Sequence, residues 1–335
     1  MKALVTGGCG FIGHNLVKAL LDNEWEKWEV LVMDDLSSGK KWNRWDGVEY
    51  IEVALEARQV GTFAGKKLAQ GETAIDTFVA NWNPDVIFHL AAVPRVSYSV
   101  ENPYETTERN VLSTLAVLDA ARKHGKPNIR VVNTSSSSIY GGADELPTPP
   151  DAPANPQSPY AMQKWQGEEW CKMYAKLYGL DVVCLRYFNV FGPHSYFGGA
   201  YSTVLSAWMY HLYVDASSKP FLEGDGEQTR DFCHVDNVTH ANILAAVYNK
   251  GYFEGEAFNI AQGSSHSLLD CKALLEKISG KDLVLEQRPP RVGDVKHTLA
   301  DIRSAAGVLE YVPSTDFERQ VRTMTDWYEK SYKQD

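Results

Sequence analysis

Short apolar runs alternate with amphipathic stretches through the first half of the chain. Runs at 2–6, 29–33, 48–53, 86–90, 129–134 and 182–187 have strand length and end in turn-forming residues. Between them, residues 12–22, 73–82 and 111–124 repeat apolar positions at helical spacing. This alternation predicts an α/β fold, a Rossmann-type doubly wound parallel sheet with helices on both faces. After Tyr187 the pattern loosens. Residues 192–203 read as a loop, 212–231 are interrupted by Pro220, Gly224 and Gly226, and helices are expected over 237–248, 268–279 and 317–332. The expected division is a larger domain over 1–187 and a smaller C-terminal one over 188–335, with segments around 232–262 returning to the first. The proline-rich stretch 143–158 and residues 59–71 read as surface elaborations.

Gly7-Gly8-Cys9-Gly10-Phe11-Ile12-Gly13 leaves the first strand and opens a helix. Gly7 permits the sharp turn, Gly10 a close approach of backbone to a pyrophosphate, and Gly13 tight packing of helix on sheet. The helix N-terminus offers unpaired N–H groups to phosphate. Asp34 ends the second strand at the distance expected of an acid that binds a ribose 2′-hydroxyl and repels a 2′-phosphate, which favours NAD over NADP. Asp35 is placed to share that role, and Cys9 reads as a small residue tolerated in the loop. Phe11 and Ile12 complete the expected cofactor-binding loop.

Tyr160 and Lys164 stand i and i+4 on a helix that Ser158-Pro159 begins, so they share a face. Alone, this spacing is a common accident. A phenol titrates near 10, and bringing it to about 7 takes roughly 4 kcal/mol of differential stabilisation, which a neighbouring ammonium and a cationic nicotinamide can share. Upstream, the serine run 134–138 closes a strand at the sheet edge where open α/β sheets bind ligands.

Composition narrows the function classes. A net charge of −10 argues against nucleic-acid binding, yet leaves room for an anionic substrate held by a few arginines. Cys9, Cys171, Cys184, Cys233 and Cys271 are scattered without metal-like pairing, which suggests free thiols, no metal site and a reducing compartment. The first apolar run stops at Gly7, too short for a secretory core or a membrane span, so a cytoplasmic location is expected.

Several motifs in order resemble the extended short-chain dehydrogenase/reductases, within them the UDP-hexose 4-epimerases, and most nearly the UDP-N-acetylglucosamine 4-epimerases. They are TGGCGFIG at the N-terminus, HLAA at 89–92, TSSSSIYG at 134–141, SPYAMQK at 158–164, LRYFNVFG at 185–192, GDGEQTRDF at 224–232 and RVGD at 291–294. The resemblance implies that Ser136, three residues before Ile139, is catalytic with Tyr160 and Lys164, and that the latter two also touch NAD. It implies that Asn110 supports the active-site helix beside the cofactor. It assigns Phe188, Asn189, Arg230, Arg291 and Asp294 to the sugar nucleotide, and Thr298 to a gate beside the C2 substituent. The implied reaction is oxidation at C4, rotation of a 4-keto sugar and reduction on the other face. Related 4,6-dehydratases carry Asp-Glu where this chain has Ser137-Ser138, which disfavours water elimination. A homodimer through helices over 111–124 and 160–178 is the family expectation.

The small gate at Thr298 favours an N-acetylhexosamine. UDP-glucose and UDP-glucuronate stay open as alternatives, the latter wanting a basic or hydroxyl-rich patch, for which His194 and Ser195 are the candidates. A sensor without turnover and a net oxidoreductase are further readings. One departure stands out. Ala54 occupies the position of a family acid that contacts adenine, with Glu52 and Glu56 as candidate substitutes.

Overall fold

The computed structural model describes residues 1–57, 61–63, 66–68, 72–143, 145–198, 203–290 and 295–332. Seven strands form one wholly parallel sheet: β1 (Lys2–Thr6), β2 (Glu29–Asp34), β3 (Glu49–Glu52), β4 (Val86–His89), β5 (Arg130–Ser136), β6 (Asp181–Tyr187) and β7 (Glu254–Ile260). Their spatial order is β7-β6-β5-β4-β1-β2-β3. The chain therefore reverses direction across the sheet between β1 and β4, the switch point where doubly wound sheets open a crevice at the strand ends.

Helices cover both faces. On one lie α1 (Phe11–Leu21) and a later helix, Val235–Val247, over a core that includes Val5, Leu16, Val32, Phe88 and Val238. On the other lie α2 (Ala74–Trp82), α3 (Ser113–His124) and α4 (Pro159–Tyr178), over Leu4, Leu31, Phe78, Ile87, Val131 and Cys171. Strands buried on both faces read as continuous apolar runs, as they do here. The six expected strands are present, with bounds shifted by up to two residues. The return of the chain after residue 232 takes the form of β7, which pairs with β6.

The C-terminal part gathers around Trp208, Met209, Phe232, Leu275, Val321 and Tyr328. Its helices include Val204–Tyr213, which the loosened pattern did not reveal, and Leu268–Ser279 and Phe317–Lys330, which it did. Two-residue ribbons link it to the sheet: Val190–Phe191 with Cys233–His234, and Thr229–Arg230 with His266–Ser267. Of the 59–71 elaboration, Gly61–Phe63 and Lys66–Leu68 form an antiparallel ribbon.

Candidate active site

A cleft enclosing about 1380 Å³ of solvent-continuous space opens over the ends of β1 and β4. Gly7, Gly10, Phe11, Ile12, Gly13, Asp34, Ser136, Tyr160 and Lys164 all line it. The glycine loop is built as its sequence predicts. Gly7 adopts φ +73°, and a Cβ there would come within 2.8 Å of the Ala91 amide nitrogen. A Cβ on Gly13 would lie 2.1 Å from the Gly7 carbonyl oxygen. Gly8 is equally constrained, since its Cβ would meet Val32 Cγ1 at 2.5 Å. Gly10 caps α1 without a side chain, so the first helical amides stay available to an anion.

Asp34 closes the loop from beneath. Its Oδ2 accepts from the Cys9 amide at 2.9 Å and its Oδ1 from the Leu36 amide at 2.8 Å. Burial nevertheless raises its pKa. Cys9 is buried, and burial with the Asp34 charge pushes its thiol up to about 12, so it stays protonated. A glycine cradle that a Cβ would fill, an uncapped helix start and an acid at the end of β2 together fit a dinucleotide.

The opposite wall carries the acid–base candidates. Ser158 Oγ caps α4 by accepting from the Ala161 amide, Pro159 occupies the first turn, and Tyr160 and Lys164 follow on one face. The Lys164 ammonium donates to the Thr134 carbonyl at 2.8 Å, tying α4 to the end of β5. Ser136 ends β5 and begins the 3₁₀ turn Ser137–Tyr140, its Oγ accepting from the Ser138 amide at 3.2 Å. Burial pushes the Tyr160 phenol up to about 12, with a hydrogen bond from Ser136 partly offsetting it. Burial lowers Lys164 to about 8. An unperturbed phenol titrates near 10. Starting from 12, a working value near 7 requires roughly 7 kcal/mol of charge stabilisation.

Asn110 stands behind this wall and does not line the cleft. It lies in a π-helical turn, Glu108–Leu112, that leads into α3. Its Oδ1 accepts from the Val93 amide at 2.7 Å, and its Nδ2 donates to Gln163 Oε1 at 2.7 Å. It thus fixes α4 next to Lys164. Two residues that sequence reasoning passed over act similarly. Glu168, one turn beyond Lys164, accepts from Ser135 and from the Arg186 guanidinium, and Arg186 donates to Tyr140. This fully buried network joins α4 to the strands that carry Ser136.

The residues assigned to the sugar nucleotide lie apart from these. Phe188 is 2% exposed and packs with Tyr140, Ile139 and Ala261, so its ring belongs to the core. Asn189 donates to Thr298 Oγ1 at 3.1 Å, which also accepts from the Asp231 amide. Asp231, not singled out in the sequence, is fully buried and accepts from the Gln262, Gly263 and Ala300 amides at 3.0–3.2 Å. Arg230 donates to the Thr229 and Lys296 carbonyls. Arg291 and Asp294 lie outside the described residues. Ser195 is buried against Ser206 at 2.8 Å, and burial lowers His194 to about 3, so neither supplies the charge a carboxylate would want.

Of the acids near Ala54, Glu52 pairs with Lys41 and Arg44, whereas Glu56 lines the cleft and pairs with Arg109. Asp35 also pairs with Arg109.

A UDP-glucose 4-epimerase of Mycolicibacterium smegmatis is 33% identical over 98% of both chains. The UDP-N-acetylglucosamine 4-epimerase of Methanobrevibacter ruminantium, solved with UDP-N-acetylmuramic acid, is 32% identical with a TM-score of 0.84, covering 98% of this chain and 97% of that one. The UDP-glucuronic acid 4-epimerase of Bacillus cereus, solved with UDP-glucuronic acid and NAD, is 28% identical with a TM-score of 0.84, covering 99% and 100%. Residues 3–261 match the NAD dependent epimerase/dehydratase family, a span that runs from the glycine loop through Tyr160 to the end of β7, and the chain belongs to that family.

Proposed function

We propose that this enzyme is an NAD-dependent isomerase that inverts C4 of a UDP-hexose, interconverting UDP-N-acetylglucosamine and UDP-N-acetylgalactosamine. The observation that carries the reading is the placement of Ser136, Tyr160 and Lys164 on one wall of a cleft whose other parts fit a dinucleotide. When bound, NAD supplies reversible hydride exchange and a cationic ring beside the phenol. Tyr160 takes the proton from the sugar O4 and later returns it. Ser136 hydrogen-bonds at the same oxygen. Lys164, anchored on Thr134, adds positive charge that favours the phenolate. The 4-keto sugar turns over between the two transfers while the UDP group keeps it bound, so remote binding energy serves the chemistry. Arg230 and Arg291 are read as diphosphate ligands, Asp294 as a ribose contact, and Asn189 and the Phe188 backbone as sugar-nucleotide contacts.

Residues 1–187 form the NAD-binding domain in this reading and 188–335 mainly the substrate domain, with 232–262 returning to the first. The acetamido assignment rests on Thr298, a small side chain fixed by Asn189 and the Asp231 amide. UDP-glucose is the competing substrate, in keeping with the activity named for the M. smegmatis relative. UDP-glucuronate is less well served, because His194 is neutral and Ser195 buried. A homodimer is supported by an apolar stripe along α4, where Met162, Trp170, Met173 and Leu177 are exposed, beside exposed Leu112. Among the described residues no helix is long and apolar enough to cross a membrane, and all five thiols are free and buried. We take the reducing cytoplasm as the location.

The test is proton NMR of UDP-N-acetylglucosamine with purified enzyme and no added NAD. The galacto epimer is expected to appear, and Thr298→Tyr is expected to abolish this conversion while sparing UDP-glucose. Equal loss of both activities would overturn the gate, and turnover of UDP-glucose alone by the wild type would overturn the acetamido assignment.

A further inference from the structure

Two stretches that the chemistry above does not use meet beside the glycine loop. The first is the turn at 40–43, after β2. Its Lys40 amide and its Asn43 Nδ2 both donate to the Cys9 carbonyl, at 3.1 and 3.0 Å. The second, at 193–196, follows the Val190–Phe191 ribbon, and its Tyr196 packs against the C-terminal core. Lys40 and Asn43 of the first, and His194 and Tyr196 of the second, line the cleft together with Cys9 and Gly10. Three hydrogen bonds join the stretches. Trp42 Nε1 donates to the Tyr196 hydroxyl at 2.9 Å, and that hydroxyl donates to Asn43 Oδ1 at 3.3 Å. Asn43 turns its Nδ2 to Cys9, which leaves Oδ1 as an acceptor, so His194 Nδ1 carries the proton of the third bond, at 3.3 Å. Rings back the second stretch. The His194 ring lies 3.9 Å from that of His14 in α1 and 5.0 Å from Trp327, and Tyr196 meets Trp327 edge-on at 5.0 Å.

We infer that Trp42, Asn43, His194 and Tyr196 form a latch across this cleft, and that its opening limits the release of a bound dinucleotide. The inference rests on the NAD reading of the cleft. A pyrophosphate at the N-terminus of α1 lies against Cys9 and Gly10, next to both stretches. While the stretches are joined, the dinucleotide is held beneath them; it leaves when they part. Opening of such segments commonly sets the rate at which a bound molecule departs. Trp42 does not line the cleft, so it acts on the dinucleotide only through Tyr196. Its side chain is 40% exposed, and a hydrogen bond so close to water breaks and re-forms readily. The contact therefore slows release without locking the cleft. His194 and Tyr196 stay in place during opening through their rings and through Asn15, whose Nδ2 donates to the Pro193 carbonyl at 3.0 Å. The turn at 40–43 is the moving half.

The experiment loads the full-length enzyme with radiolabelled NAD, dilutes it into excess unlabelled NAD, and follows the label kept on a filter, so no turnover is needed. Trp42→Phe keeps a ring and loses the Nε1 donor; it is expected to speed release about fivefold. Tyr196→Phe keeps the contact with Trp327 and loses both hydroxyl bonds; about twentyfold is expected. The double variant should release no faster than Tyr196→Phe alone, because Trp42 works through that hydroxyl, whereas two merely structural defects would multiply. Release from Trp42→Phe at the wild-type rate overturns the latch, and this exposed position decides the matter even where Tyr196→Phe does not fold. A double variant in which the two effects multiply overturns it as well. A wild-type enzyme that takes up no labelled NAD overturns the NAD reading itself.

Discussion

Around the glycine loop and Tyr160, position is set by long elements. Ser136 ends a seven-residue strand paired on both sides, and Tyr160 and Lys164 ride the first turns of a 20-residue helix. Around Thr298, by contrast, the pairings are short: single bridges of His297 with Thr229 and of Ala300 with Thr148, beside ribbons of two residues. What ties these bridges together is one carboxylate, Asp231, whose oxygens gather the Gln262, Gly263 and Ala300 amides while its own amide donates to Thr298. Burial pushes that carboxyl up to about 6 despite three donors. The acid–base candidates are thus fixed by long elements, and the rim around Thr298, the proposed gate, by short bridges and a few side chains. Selectivity should shift under single substitutions that leave the acid–base machinery in place.

The sharpest division is expected from Tyr160→Phe. It should lower kcat by about three orders of magnitude while leaving the thermal midpoint unchanged, because the phenol oxygen does not hold the framework. A collapse of the midpoint by calorimetry would break the comparison. Glu168→Gln tests the framework itself. It removes a fully buried charge from Arg186, and urea titration should register a loss of about 3 kcal/mol. Asp231→Asn puts an N–H₂ group among three amide donors, at a cost of about 2 kcal/mol, and should raise KM for the UDP-sugar more than it lowers kcat. An effect confined to kcat would mean that the rim and the chemistry are not separable. The smallest effect concerns pH. Lys164 is charged below about 8 and neutral above it, so kcat is expected to fall about fivefold between pH 8 and 9. Lys164→Arg, charged throughout, should remove that alkaline limb.

The same contrast governs what could be read from the sequence. Strands β1, β2 and β4 carry continuous apolar runs, and local pattern suffices to find them. The cradle glycines and the Tyr160–Lys164 face lie within single elements, so their spacing carries the geometry. The rim is different. Asp231 finds its partners 31, 32 and 69 residues along the chain. Elsewhere in the cleft, Arg109 likewise meets Asp35 and Glu56 across 74 and 53 residues. No local pattern encodes such pairings. The helix Val204–Tyr213 was hidden by its aromatic residues and the glycine-rich stretch before it. Motif position assigns Phe188 to the sugar nucleotide, but position along a motif does not tell which way a ring turns, and this ring is in the core.

Strand β7 has a consequence for dividing the molecule. It reaches its place beside β6 only after the chain has travelled through the C-terminal part and back, and all seven residues of β6 are buried. A fragment ending at Tyr187 would retain the glycine loop, Ser136, Tyr160 and Lys164, yet bare one whole edge of an apolar strand. Such an edge invites pairing with another chain. The fragment is therefore expected to sediment as aggregate, whatever its motifs suggest. The part that carries the glycine loop is not a cassette that can be cut out and grafted, because the last strand of its sheet is encoded only after the chain has passed through Val204–Tyr213 and the short ribbons.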